Sequence, residues 1–152
     1  MIYFATHFWV HEAVHFALVG LISGFFYWRY RDWRLVITII FFGLFLDVDH
    51  LFDFFAYYGK AANISNFFLG GYIDASGKIF VPLHSWEFLF WLSLLALGLE
   101  KKLQIKGLMA VVVLTYGTHL LWDQLCYGQH LFAYFLAYRF LNNFSIESFH
   151  GF

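Results

Sequence analysis

The groups able to do chemistry in this 152-residue chain are histidines and carboxylates set inside apolar sequence. One stretch carries His7, His11, Glu12 and His15; a second carries Asp47, Asp49, His50 and Asp53. A third opens on His84, Ser85 and Glu87, and a fourth holds His119 and Asp123. Imidazole with carboxylate and no thiolate is the donor set of zinc or another borderline first-row metal. The lone cysteine, Cys126, excludes an intrachain disulfide and a Cys-rich zinc finger. Tetrahedral zinc takes four protein groups, or three and a water, so these donors suffice for one ion or for two bridged by an aspartate. A metal held there lowers the pKa of water towards ~7, which is hydrolase chemistry.

Spacing sorts the donors by face. His7, His11 and His15 recur every fourth residue, drifting about 40° per step around a helix. His119 and Asp123 are also i, i+4, while Asp47 and His50 are i, i+3 with Asp53 continuing the fan. Asp49 lies about 160° from Asp47 on a regular helix. It therefore ligates through local distortion or orients another ligand. His11-Glu12-Ala13-Val14-His15 spells H-E-x-x-H, in which two histidines hold zinc and the Glu is the base. Glu12, about 100° around the helix from His11, can serve the same water. Intramembrane proteases with this motif also carry a downstream L-D-G, which this chain lacks. Ser85 reads as a helix cap rather than a nucleophile. Asp53 and Glu87 read equally well as members of the site or as groups that cap or pair with neighbours, and His7, His130 and His150, taken singly, as ordinary polar contacts. There is no Gly-rich phosphate loop and no G-x-S-x-G.

The elements that carry these groups are those of a membrane protein. Apolar residues make up 62%, aromatics 25% and charged residues 12%, too apolar for a water-soluble body of this size. A net charge of −1 with no basic run argues against nucleic acid as partner. The pattern predicts an all-α, polytopic protein, a single domain over 1–152. It has four transmembrane helices at about 4–28, 35–58, 83–99 and 107–127. An outer loop at 59–82, an ordered cap or a lid, and an interfacial helix at 131–141 complete it. The first segment has no basic n-region and no cleavage site, and is expected to be retained. Arg29, Arg31 and Arg34 in one short turn and Lys101, Lys102 and Lys106 in another outnumber Lys60 and Lys78 in the long loop. The short turns are thus cytoplasmic and both termini extracytoplasmic, in a multi-pass protein of a bacterial-type inner membrane. With that topology all four clusters fall at one depth, in the outer half of the bilayer.

Leu46-Asp47-Val48-Asp49-His50, then Pro82-Leu83-His84-Ser85, then His119-x-x-x-Asp123 resemble the YdjM-type family of inner-membrane metal-dependent hydrolases. His11-x-x-x-His15-Phe16 and P-L-H-S bring the chain closer to a related group of small bacterial membrane proteins. More distantly the pattern is similar to zinc-dependent phospholipase C. The resemblance spans about residues 7–127. It implies that Asp47, His50, His84, His119 and Asp123 are metal ligands, with His11 and His15 completing the site. Two departures stand out: Leu46 occupies the usual Pro position, and a single His84 stands where some relatives have two histidines. The expected function is a zinc-dependent hydrolase, with one or two ions or another divalent metal, acting on a lipid or lipid-linked phosphoester, alone or as a homo-oligomer. Asp49 or Glu12 would handle the proton. The competing expectation is a non-catalytic metal-binding protein, whether sensor, carrier or metal-pinned bundle. An H-E-x-x-H protease ranks third.

Overall fold

A computed structural model describes the backbone of residues 2–69, 71–126 and 131–150, and the side chains of 10–68, 71–126 and 131–149. Among the described residues it is all-α, with no strand and a single isolated bridge between Lys78 and Ser145. Helix α1 (Ile2–Tyr30) ends where Arg31 turns to φ 54°. Asp32 starts α2 (Trp33–Leu44), its carboxylate accepting from the Arg34 backbone N–H at 3.0 Å. The Arg34 guanidinium, 2.6 Å away, holds that carboxyl below its usual range.

The second apolar segment is not the continuous span expected over 35–58. Helix α2 stops at Phe45, a 3-10 turn takes Leu46–Asp49, and α3 (His50–Tyr58) continues after a 41° bend. Gly59, at φ 52°, ends α3. The expected outer loop is ordered as a 3-10 turn (Gly59–Ala61) and two short helices, α4 (Ile64–Leu69) and α5 (Tyr72–Ser76). Ser85 caps α6 (Trp86–Leu103), accepting from the Phe88 N–H at 3.2 Å, so residues 83–85 precede this helix instead of belonging to it. Helix α7 (Leu108–Cys126) follows, and Tyr127, the expected end of the fourth span, lies outside the described residues. The expected interfacial helix at 131–141 is helical only over α8 (Leu136–Leu141), before α9 (Ile146–His150). Its Arg139 is buried, not displayed at an interface, because backbone carbonyls surround it.

Helix α7 is the axis of the bundle and packs against α1, α2 and α6. Its buried face runs Val111, Thr115, Tyr116, His119, Leu120, Asp123, one face at helical spacing. Leu35 and Ile39 of α2 are fully buried with Val111, Tyr116 and Leu120 in one core. At the end away from the histidines, Gly107 sits at φ 89°, and a Cβ there would stand 3.0 Å from the Tyr30 ring. This contact brings the two short turns together. Glu100 caps α7, accepting from the N–H groups of Gly107 and Met109 at 3.1 and 2.9 Å. Gly107→Ala is expected to lower stability by about 1–3 kcal/mol through backbone strain, read as the thermal midpoint in detergent.

Of the four expected spans, only the described part of α1, Val10–Tyr30, is on its own long and apolar enough to cross a membrane. A second crossing is formed if the bent pair of α2 with the segment Leu46–Ala61 counts as one span. Helix α6 falls short because Glu87, Glu100, Lys101 and Lys102 dilute it, and α7 because His119, Asp123 and Gln124 do.

Candidate metal centre

The bundle end opposite Gly107 gathers the polar clusters. From α1 come His11 and His15, one turn apart on the face turned to α7. Helix α7 supplies His119 and Asp123, also one turn apart. The 3-10 turn supplies Asp47 and Asp49, and the residues before α6 supply His84. His11, His15, Asp49, His84, His119 and Asp123 are all buried.

Four tips converge. His84 Nε2 is 3.2 Å from Asp47 Oδ1, 3.2 Å from His119 Nε2 and 3.4 Å from Asp123 Oδ2. His119 Nε2 is 3.4 Å from both Asp47 Oδ1 and Asp123 Oδ2. Donor bonds of about 2.0–2.1 Å give a tetrahedron with edges of about 3.3–3.4 Å. These five separations match it. Asp49 Oδ1 accepts from His84 Nδ1 at 2.9 Å, which leaves Nε2 as the ring atom that faces two carboxylate oxygens and a second imidazole.

A second group shares Asp123. His15 Nε2 lies 2.9 Å from His11 Nε2 and 3.1 Å from Asp123 Oδ1, and His11 Nε2 lies 3.2 Å from the same oxygen. Asp123 thus offers Oδ2 to one group and Oδ1 to the other. The His15 and His119 rings stack at 4.0 Å between them. Trp122 stacks on His11 at 6.2 Å. Both groups are able to hold a metal ion, as is a third made of Asp49, His50 and His84.

In the 3-10 turn that breaks the second segment, Asp49 takes a place that suits the ligand-orienting expectation. Its Oδ1 faces His84 Nδ1, and its Oδ2 accepts from the N–H groups of Leu83 and His84 at 2.8 and 3.2 Å. Asp49 stands behind His84, fixing the ring's orientation, as carboxylates do behind metal-bound histidines. Asp49→Asn is expected to weaken metal binding about 10–100-fold in a chelator-competition titration, with little change in helicity. His50 lies beside this pair, its ring 5.1 Å from that of His84, and belongs to neither group that shares Asp123. Glu12 is half-buried on α1, within electrostatic reach of His11, Asp47, His119 and Asp123. The side chains of His7, His130 and His150 lie outside the described residues.

Asp53 holds a turn and Glu87 caps a helix. Asp53 accepts from the N–H groups of Phe80 and Val81 at 2.7 and 3.1 Å. Glu87 accepts from those of Leu136 and Ala137, at 3.0 and 3.1 Å, at the start of α8. Sequence reasoning missed Arg139, whose guanidinium bonds three carbonyls around the His84 turn. The available signal was a lone cation inside an eleven-residue apolar stretch at 131–141. No family model matches the chain, nor does any curated protein or solved structure.

Proposed function

We propose that this protein is a membrane-embedded, metal-dependent hydrolase, with zinc as the ion its donors suit, acting on a lipid or lipid-linked phosphoester. The observation that carries the reading is the convergence of His84, His119, Asp47 and Asp123, with separations of 3.2–3.4 Å, inside apolar surroundings. Asp123, with one oxygen towards each group, lets the site take one ion or two. A divalent metal supplies Lewis acidity and a more acidic water. The remaining work falls to the chain. Asp49 holds His84 in place, and Glu12 takes the proton of the attacking water and returns it to the departing alkoxide. Water adds to phosphorus as an ester P–O bond breaks, leaving an alcohol together with a phosphomonoester from a phosphodiester, or with inorganic phosphate from a polyprenyl monophosphate.

The lipid substrate is supported by the exposure of Asp47. Its side chain is 30% exposed, whereas those of His84 and His119 are at most 2% exposed. Phe16, one turn after Glu12, and Phe45, Val48 and Phe52, close to Asp47 in the chain, are each about half exposed or more. Exposed apolar residues next to a partly exposed carboxylate suit a headgroup whose chains stay in the bilayer.

A four-span, multi-pass arrangement agrees with the same surface. Only 22% of the apolar window of α1 is buried, so most of this helix faces outward. Trp91, Leu95 and Leu125 are likewise exposed on α6 and α7. Those two helices, 18 and 19 residues long, measure about 27 and 28 Å, near the ~30 Å hydrocarbon thickness. Arg29, Arg31, Arg34, Lys101, Lys102 and Lys106 fall in or beside the two short turns that Gly107 and Tyr30 join. The positive-inside rule then puts the metal centre on the extracytoplasmic side of a plasma membrane.

Four protein ligands also describe a closed, structural metal, and the deep burial of His84 and His119 favours that second reading. Incubating the zinc-loaded protein with phospholipid or polyprenyl-phosphate liposomes separates the two. Hydrolysis is expected, lost on chelation and in Glu12→Gln. Retained metal with no product from either lipid class would establish binding without catalysis.

A further inference from the structure

The turn that delivers His84 contains an unusual backbone, with Val81 at φ 26° and Pro82 unable to donate. Nearly every other polar group of this turn is held. The N–H groups of Phe80 and Val81 go to Asp53, and those of Leu83 and His84 to Asp49. The carbonyl of Leu83 accepts from the Tyr116 hydroxyl of α7. The carbonyls of Phe80, Val81 and His84 accept from Arg139, Nη1 at 2.6 and 3.0 Å and Nη2 at 2.7 Å.

One guanidinium therefore spans both ends of the turn from one side while two carboxylates grip both ends from the other. Arg139 is 0% exposed, so no solvent competes for these bonds. Burial lowers its pKa, and Asp49, Asp53 and Glu87 oppose that shift. Its own helix is seated by Glu87 at the first N–H groups of α8, and the Trp86 N–H donates to the Tyr134 carbonyl at 3.0 Å. The Ile79 N–H donates to the Phe144 carbonyl at 2.9 Å, and that of Ile146 to the Gly77 carbonyl at 3.0 Å. The segment 131–149 is thus bonded along the chain that leads into His84.

We propose that Arg139 is a positioning residue for the metal centre, acting through the 80–84 turn to fix where His84 Nε2 stands among Asp47, His119 and Asp123. The inference rests on the metal-binding reading above. A planar fork matters here, because a lysine carries the charge on a single point and reaches fewer of the three carbonyls.

The test is a Co²⁺ titration of the metal-stripped full chain in detergent, read by the visible d–d absorption and by competition with a chelator. Arg139→Ala is expected to weaken Co²⁺ binding about 10–100-fold, the scale of lost ligand-orienting contacts, and to change the d–d band intensity. Arg139→Lys should fall between it and the wild type. Asp53→Asn, which loosens the other side of the same turn, should act in the same direction and decides the matter if Arg139→Ala does not fold. Gly107→Ala, at the far end of the bundle, should lower the thermal midpoint and leave Co²⁺ affinity unchanged. Wild-type affinity in either Arg139→Ala or Asp53→Asn would overturn the proposal, as would an equal loss in Gly107→Ala. A wild-type chain that takes up no Co²⁺ would overturn the metal reading and this inference together.

Discussion

Asp123→Ala is expected to lower metal affinity by more than about 100-fold, a larger effect than any other single substitution at the site, because it strips a ligand atom from two groups at once. In the wild type its Oδ2 is 3.4 Å from both His84 and His119 Nε2, and its Oδ1 is 3.1 and 3.2 Å from His15 and His11. Without it, four imidazoles face one another with Asp47 as the remaining carboxylate at their tips. Chelator-competition titration of Zn²⁺ reads the effect. An affinity within tenfold of the wild type would show that Asp123 is no ligand. The substitution should leave helix content nearly intact, since its neighbours Leu120 and Tyr116 continue to pack the core.

Gly43→Val is expected to be the most damaging change away from the site. Helices α1, α2 and α7 meet there: a Cβ on Gly43 would overlap Val19 Cγ2 of α1 and lie 3.2 Å from Thr115 Cγ2 of α7. Neither neighbour is the far end of a flexible chain. Close approach of helices over a small residue is a common way to pack a bundle in a membrane. Gly43→Ala should already cost about 1–3 kcal/mol, and Val, with two more methyls, should exceed that and splay α2 from α7. Since α2 leads into the turn bearing Asp47, the loss of fold should carry loss of metal with it. A thermal midpoint of Gly43→Val within a degree or two of the wild type would contradict this packing.

The faces that carry the histidines and carboxylates were legible in the sequence for a physical reason. Charged and imidazole groups are costly in apolar helices, so their positions stand out, and the i, i+4 rows of His11 with His15 and His119 with Asp123 name the faces that converge. Ser85 as a helix cap was legible from its place before an apolar run. The break at Phe45 was not. No proline or glycine marks Phe45–Asp49, so hydropathy reads straight through a bend that turns Asp49 behind His84. The same chemistry that marks the site keeps α7 from standing out as a span, since His119, Asp123 and Gln124 lower the hydropathy of the helix they occupy. Arg139 was missed because its partners are carbonyls 55–59 residues earlier, and no local pattern announces a buried guanidinium satisfied by backbone. Local propensity and period carry the helices and their faces. The turns that aim Asp49, His84 and Arg139 exist only once distant segments meet.

The most direct test of the central claim is elemental mass spectrometry of the wild-type protein purified in detergent, with His119→Ala beside it. The account predicts one or two equivalents of a divalent first-row metal in the wild type, with zinc foremost, and a marked loss in His119→Ala. A wild type free of metal after incubation with zinc would contradict it. The converging histidines and aspartates would then be a hydrogen-bonded network, and the hydrolase reading would fall with the metal.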